Sequence, residues 1–147
     1  MEIKTTLELV EEEIQKLLKA KDINCDKYFG ELKDPKNFRY ELTKLPLVFT
    51  DFIGSKPIDM LREDAKFNLY EVHISYSKNK ATRASKHYEL YELQKVIKNS
   101  LHLTSFTNTE PLKMGKLEKI FDAVTQSGYL TVFKQELSII IKEGETY

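Results

Sequence analysis

The sequence predicts an α+β fold, a mixed or antiparallel sheet with two main helices packed on it, and three observations lead there. Two segments, about Thr6–Ala20 and Tyr88–Ser100, repeat apolar residues at helical spacing. Two others, Lys66–Ser77 and Tyr129–Lys142, alternate apolar and polar residues. One apolar and one polar face suits a sheet covered on one side rather than a doubly wound parallel sheet. The 147 residues fit one domain, 1–147, able to bury an apolar core without disulfides or a structural metal.

The first helix carries Leu7, Val10, Ile14, Leu17 and Leu18 on one side. Thr5 with Glu8 forms a capping box, Glu11, Glu12 and Glu13 lie early, and Lys16, Lys19 and Lys21 lie late, as the helix dipole favours. Asn24–Gly30 reads as a short strand ended by glycine, and the polar stretch after it, with Pro35, as a loop. After Leu45-Pro46 the β-branched and aromatic run LVFTDFI predicts a strand closed by Gly54. Ser55–Asp64 is a loop or the turn before the next strand. In Lys66–Ser77, Tyr70, Val72, Ile74 and Tyr76 are expected on a buried face, with Glu71, His73 and Ser75 on a polar one. Residues 77–85, SKNKATRAS, predict a polar connection, and Thr82 and Ser85 are candidate caps for the second helix. That helix presents Tyr88, Leu90, Tyr91, Leu93, Val96, Ile97 and Leu101. His102–Pro111 reads as loop, Lys116–Phe121 as a short strand and Val124–Gly128 as a turn. The last strand sets Tyr129, Thr131, Phe133, Leu137, Ile139 and Ile141 against Lys134, Glu136, Ser138 and Lys142. The order is helix, strand, strand, strand, helix, strand, strand.

Charge and motifs narrow the function classes. The 23 Lys+Arg and 23 Asp+Glu residues cancel, which argues against sequence-independent nucleic-acid binding and removes self-repulsion. Cys25 is the single cysteine, so no internal disulfide or cysteine-based zinc site is expected, and it reads as a small inward-facing strand residue. No apolar run approaches a signal peptide or membrane span, and a soluble protein of a reducing compartment is expected. None of His73, His87 and His102 completes a nucleophile–base pattern or a metal-ligand spacing, and the five glycines form no phosphate-binding loop. The expectation is therefore no catalytic residue, no cofactor, no metal and no enzymatic activity. Two groups stand out as contact candidates. Lys78, Lys80, Arg83 and Lys86 make a local basic cluster between a strand and a helix, read either as a solvated loop or as a place where backbone amides could also meet an anion. Pro57, Asp59 and Arg62 lie in the 55–64 segment.

The succession of the amphipathic first helix, Tyr28-Phe29-Gly30-Glu31-Leu32, Leu45-Pro46-Leu47-Val48, a strand leading into Ser77-Lys78-Asn79-Lys80-Ala81-Thr82-Arg83, the helical His87-Tyr88-Glu89-Leu90-Tyr91-Glu92-Leu93 and a long closing strand resembles the small tail proteins of Mu-like bacteriophages, a tail-terminator family. The resemblance implies a non-enzymatic, tail-terminator-like domain that closes into a ring, typically of six copies. Such a ring caps the tail tube, and the sheath where the tail contracts, and offers a surface to a head-completion protein. Its place would be the virion tail, and the host cytoplasm during assembly, with DNA only as cargo passing through the lumen and no membrane partner. The alternatives are a head–tail connector or completion protein and, from another class, a small nucleic-acid-binding module using the basic 78–86 loop. In a ring, two different patches of one chain must be complementary. The expected pair is the edge of the Lys66–Ser77 or Tyr129–Lys142 strand against the 55–64 segment or 102–111 loop of the next subunit.

Overall fold

Val10, Ile14 and Leu18 recur every four residues on α1 (Thr6–Lys19) and are buried in the main core. The structure, a computed structural model, describes residues 5–34, 47–75, 80–125 and 128–142; at 74, 75 and 80–88 it describes the backbone alone. At the start of α1, Glu8 N donates to Thr5 Oγ1 at 3.2 Å, with Glu8 in the first turn and Lys16 and Lys19 in the last. The helix ends in a Schellman-type turn, Ile23 N donating to Leu18 O at 3.1 Å and Asp22 N to Lys19 O at 3.0 Å. Asp22 sits there at φ 61°, the left-handed conformation usually taken by glycine.

The strands are β1 (Asn24–Lys27), β2 (Leu47–Pro57), β3 (Arg62–Ser75), β4 (Lys113–Thr125) and β5 (Gly128–Lys142), with α2 (Lys80–Leu101) between β3 and β4. They form one sheet in the order β1-β2-β3-β5-β4. Only the β1–β2 pair is parallel. The result is an α+β fold with a largely antiparallel sheet and two helices packed on it. Its element order is the one the sequence predicts.

Several boundaries move, each for a local reason. Gly54 does not close β2; the strand absorbs a register shift between Phe52 and Gly54 and runs on to Pro57. Residues 80–85 are not a connection but the first turns of α2, so Thr82 and Ser85 lie inside the helix. The β4 strand is 13 residues long because it follows β5 through two register shifts, Met114/Leu117 and Lys119/Phe121. Residues 35–46 and 76–79, including Pro35, Tyr76 and Lys78, lie outside the described residues.

The larger correction concerns the faces of β3. Ala65, Phe67, Leu69 and Glu71 turn toward the helices, where they join Cys25, Val48, Leu90, Ile97, Leu137 and Ile139. The opposite face, with Tyr70 and Val72, is also covered at one end. There Leu32 packs with Leu47, Phe49, Val72, Leu130 and Val132 in a second, smaller core, flanked by Tyr28, Tyr70 and Phe121. Tyr28 stands 4.7 Å from Tyr70 and 5.8 Å from Phe49 between ring centroids. Residues 28–34 leave the sheet after β1 and bring Leu32 to its outer face, turning at Gly30 with φ 90°. Both faces of the strand centre are therefore buried at this end, and among the described residues none covers the outer face toward the β2–β3 hairpin.

Candidate interaction surface

The turn end of the β2–β3 hairpin is exposed among the described residues. Its turn, 58–61, is closed by Ile58 N donating to Arg62 O at 2.9 Å. Asp59 organises the turn from within: Oδ1 accepts from Leu61 N at 2.9 Å and Oδ2 from Arg62 Nε at 2.9 Å. These two bonds hold the Asp59 carboxyl below its ordinary range, and the same pairing raises Arg62. Arg62 also reaches Glu110 at 3.7 Å, tying the hairpin to the loop after α2.

A turn so well organised presents apolar residues to solvent. Met60, at its apex, is 99% exposed, and Ile58 and Leu61 beside it are about half exposed. Ile53, at the bulge in β2, is exposed as well, whereas the partly exposed Phe52 packs its ring edge-on against buried Phe67 on the helix-facing side. Exposed apolar side chains grouped in one hairpin, rather than scattered singly, make it a candidate contact surface. Of the residues expected here from sequence, Pro57, Asp59 and Arg62 all belong to this hairpin; the apolar residues that accompany them were not singled out. Their signal was present in the order Ile58-Asp59-Met60-Leu61, three large apolar side chains in a turn where polar ones are usual.

Beside the hairpin, the open outer face of the sheet forms a groove of about 450 Å³. Ile53, Lys66, Asn68, Lys113, Lys134 and Glu136 line it. Its charge leans positive, three lysines against one glutamate, although Lys66 is shared with Asp64 at 3.3 Å and with Ser138 Oγ at 3.0 Å. The long lysine stems add apolar wall beneath their charged ends.

The sheet edges are poorer docking sites. Strands β3 and β5 are paired on both sides, so the expected contact through their edges is not available. Within one chain the 55–64 segment and the 102–111 loop lie together, joined through Arg62 and Glu110. Among the described residues the free edges belong to β4, to the four-residue β1, and to β2 beyond Thr50, where β1 ends. The two longer ones are interrupted: β4 by its two register shifts and Lys113, Lys116 and Lys119, β2 by its bulge, Lys56 and Pro57.

The basic cluster divides. Lys80, Arg83 and Lys86 fall on the first turns of α2, and Lys78 lies outside the described residues. The first turn of α2 contains no acidic residue.

One titratable group stands apart from all of these. Glu71 is 1% exposed on the helix-facing side of β3, and burial pushes its carboxyl up to about 7. Gln94 of α2 pulls it back by less, too loosely for a formed hydrogen bond, since Glu71 Oε1 and Gln94 Nε2 both lack partners. Cys25 is buried, and desolvation pushes its thiol up to about 12, which makes it unreactive. Among the described residues no cluster of His, Cys, Asp and Glu has the arrangement of a metal site, and no helix is long and apolar enough to cross a membrane.

No protein-family model matches the chain, and no curated protein matches it either.

Proposed function

We propose that the protein is a phage or prophage tail structural protein whose copies associate into a ring that terminates the tail tube and offers the head-joining surface. The observation that carries the reading is the β2–β3 hairpin, with Ile58, Met60 and Leu61 held out to solvent by a turn ordered from within. A pre-ordered apolar projection loses little conformational entropy on association, which suits a part that works by geometry. The balance of 23 positive and 23 negative residues supports the same reading, because it leaves no net repulsion between copies. The resemblance of the sequence to small tail proteins of Mu-like phages supplies the tail itself, the six-fold ring and the tube, sheath and head-completion partners. A head–tail connector of similar size fits the same hairpin and differs in what it touches. No enzymatic step belongs to this proposal.

The test is to add the purified chain to polymerising tail tubes and image the products by negative-stain microscopy. Ring-shaped caps on tube ends and arrested elongation are expected. A chain that stays monomeric and neither binds tube ends nor stops their growth would overturn the proposal.

A second reading draws on α2. Its first turns carry Lys80, Arg83 and Lys86 and its first turn has no acid, so the positive end of the helix dipole is reinforced rather than offset. That arrangement favours an anion such as a nucleic-acid phosphate. Retention on DNA that weakens with salt, and weakens further in Lys80→Ala/Arg83→Ala, is its expected signature.

A further inference from the structure

We infer that Glu71 of β3 and Gln94 of α2 form a proton-operated latch, which fastens the helix to the sheet while the carboxyl is protonated and loosens it when the carboxyl ionises. The inference is independent of the assembly reading. It stands on two buried polar atoms: Glu71 Oε1 and Gln94 Nε2 lie on the two sides of the boundary between β3 and α2, and neither has a hydrogen-bond partner. The interface around them is apolar. Val48 of β2 and Phe133 of β5 stand directly across from Glu71, and Leu90, Leu93 and Ile97 of α2 are buried in the same core. A charge placed there loses its hydration.

Hydrogen-bond chemistry decides which form of the carboxyl fits. The Gln94 amide has donors on its nitrogen and an acceptor oxygen. A neutral carboxylic acid returns one acceptor and one donor, so acid and amide close two hydrogen bonds and leave neither group orphaned. A carboxylate only accepts. It bonds the amide nitrogen alone and sets a charge, without a cation, in an apolar interface. Burial pushes the carboxyl up to about 7, and Gln94, a donor to the carboxylate, offsets it by less, so the neutral form is the one kept. No charged group among the described residues takes part. On α2, Glu89, Tyr91, Glu92, Lys95 and Lys98 are all exposed. On α1, Glu11 is buried but paired with Lys27 of β1 at 3.3 Å, and on β1 the Cys25 thiol is pushed up to about 12. On β4, Asp122 accepts from Lys119 at 3.2 Å and from Thr131 at 2.9 Å. His73 shares the Glu71 face of β3, and His87 lies on α2 where the backbone alone is described, so both histidines enter the test.

Native-state hydrogen exchange on the full-length chain, corrected for the intrinsic pH dependence of exchange, tests the latch. Protection of α2 amides such as Ile97 is expected to fall about tenfold between about pH 6 and pH 8, the change imposed by a carboxyl moved from 4.5 to about 7, while α1 amides such as Leu18 change less than about threefold. Glu71→Gln, whose amide pairs with Gln94 without titrating, is expected to abolish the fall. Gln94→Ala keeps a good helix former and removes the pairing, and α2 protection at the lower pH is expected to drop to the wild-type value at the higher one. The Glu71 carboxyl carbon, followed by NMR in the wild type, is expected to titrate near 7. Parallel loss of protection in α1 and α2 would show that Glu71 acts on global stability alone and overturn the latch. So would a fall that survives Glu71→Gln, or one that disappears in His73→Asn or His87→Asn, which would make a histidine the titrating group. Wild-type protection in Gln94→Ala, or a Glu71 carboxyl that titrates in the ordinary range, would overturn it as well.

Discussion

Glu71 shows how one residue reverses a pattern-based expectation. By alternation it belongs with His73 and Ser75 on a polar face, but that face is the one the helices cover. The folded protein holds its carboxyl proton up to about pH 7, whereas the unfolded chain releases it near 4.5. Between these values the folded state binds the extra proton, so its stabilisation is complete below 4.5 and is lost as pH rises through 7. The loss amounts to at most about 3 kcal/mol. Glu71→Gln keeps the shape and removes the titration. It is expected to stabilise the protein at pH 8 by about 1–3 kcal/mol and to flatten the difference between urea midpoints at pH 4.5 and pH 8. Asp22 is a second residue-scale case. Its left-handed conformation at φ 61° closes the end of α1, and Asp22→Gly is expected to raise stability by about 0.5–1 kcal/mol in the same urea assay.

At the scale of elements, α1 was legible because everything that defines it is local: the Thr5 cap, the early Glu8, the late lysines and the four-residue apolar stripe. Its energetic weight lies in that stripe. Ile14 is wholly buried, and Ile14→Ala is expected to cost about 2–5 kcal/mol in denaturant unfolding. The start of α2 was less legible, since a run of lysine, serine and threonine reads as a loop when no apolar stripe runs through it. Strand β2 was read as shorter because Gly54 looks like an ending in a linear sequence, and β4 was read as Lys116–Phe121 with a turn at Val124–Gly128. In the sheet, Gly54 sits at the bulge and Gly115 lies within the first register shift of β4, and each strand continues because its partner does. The β2–β3 hairpin is held by its strand pairing and only its turn is ordered by Asp59, so Asp59→Ala is expected to leave the melting temperature unchanged while speeding amide hydrogen exchange at Leu61, whose N–H loses its acceptor.

For the whole molecule, the two cores divide the labour. The helix-side core joins α1, α2 and the sheet, and the outer core around Leu32 covers one end of the opposite face, leaving the hairpin end bare. The proposed association would make folding stability depend on concentration. A melting temperature that rises over a tenfold increase in protein concentration is the expected calorimetric result, and one that stays constant would count against assembly. The sequence by itself determined the element order, the α+β class, the buried stripe of α1, the inward cysteine and the helix-facing residues of β5, because helix and strand periodicities and caps are written within a few neighbouring residues. It also located the contact candidates Pro57, Asp59 and Arg62 on what proves to be the exposed hairpin. Only the tertiary structure decided which face of β3 the helices cover, that β3 and β5 have no free edge, and that Met60 stands out while Leu32 is buried. Those outcomes depend on which strands pair and what lies across the sheet from them, and such contacts join residues far apart in the chain, where local pattern carries no information.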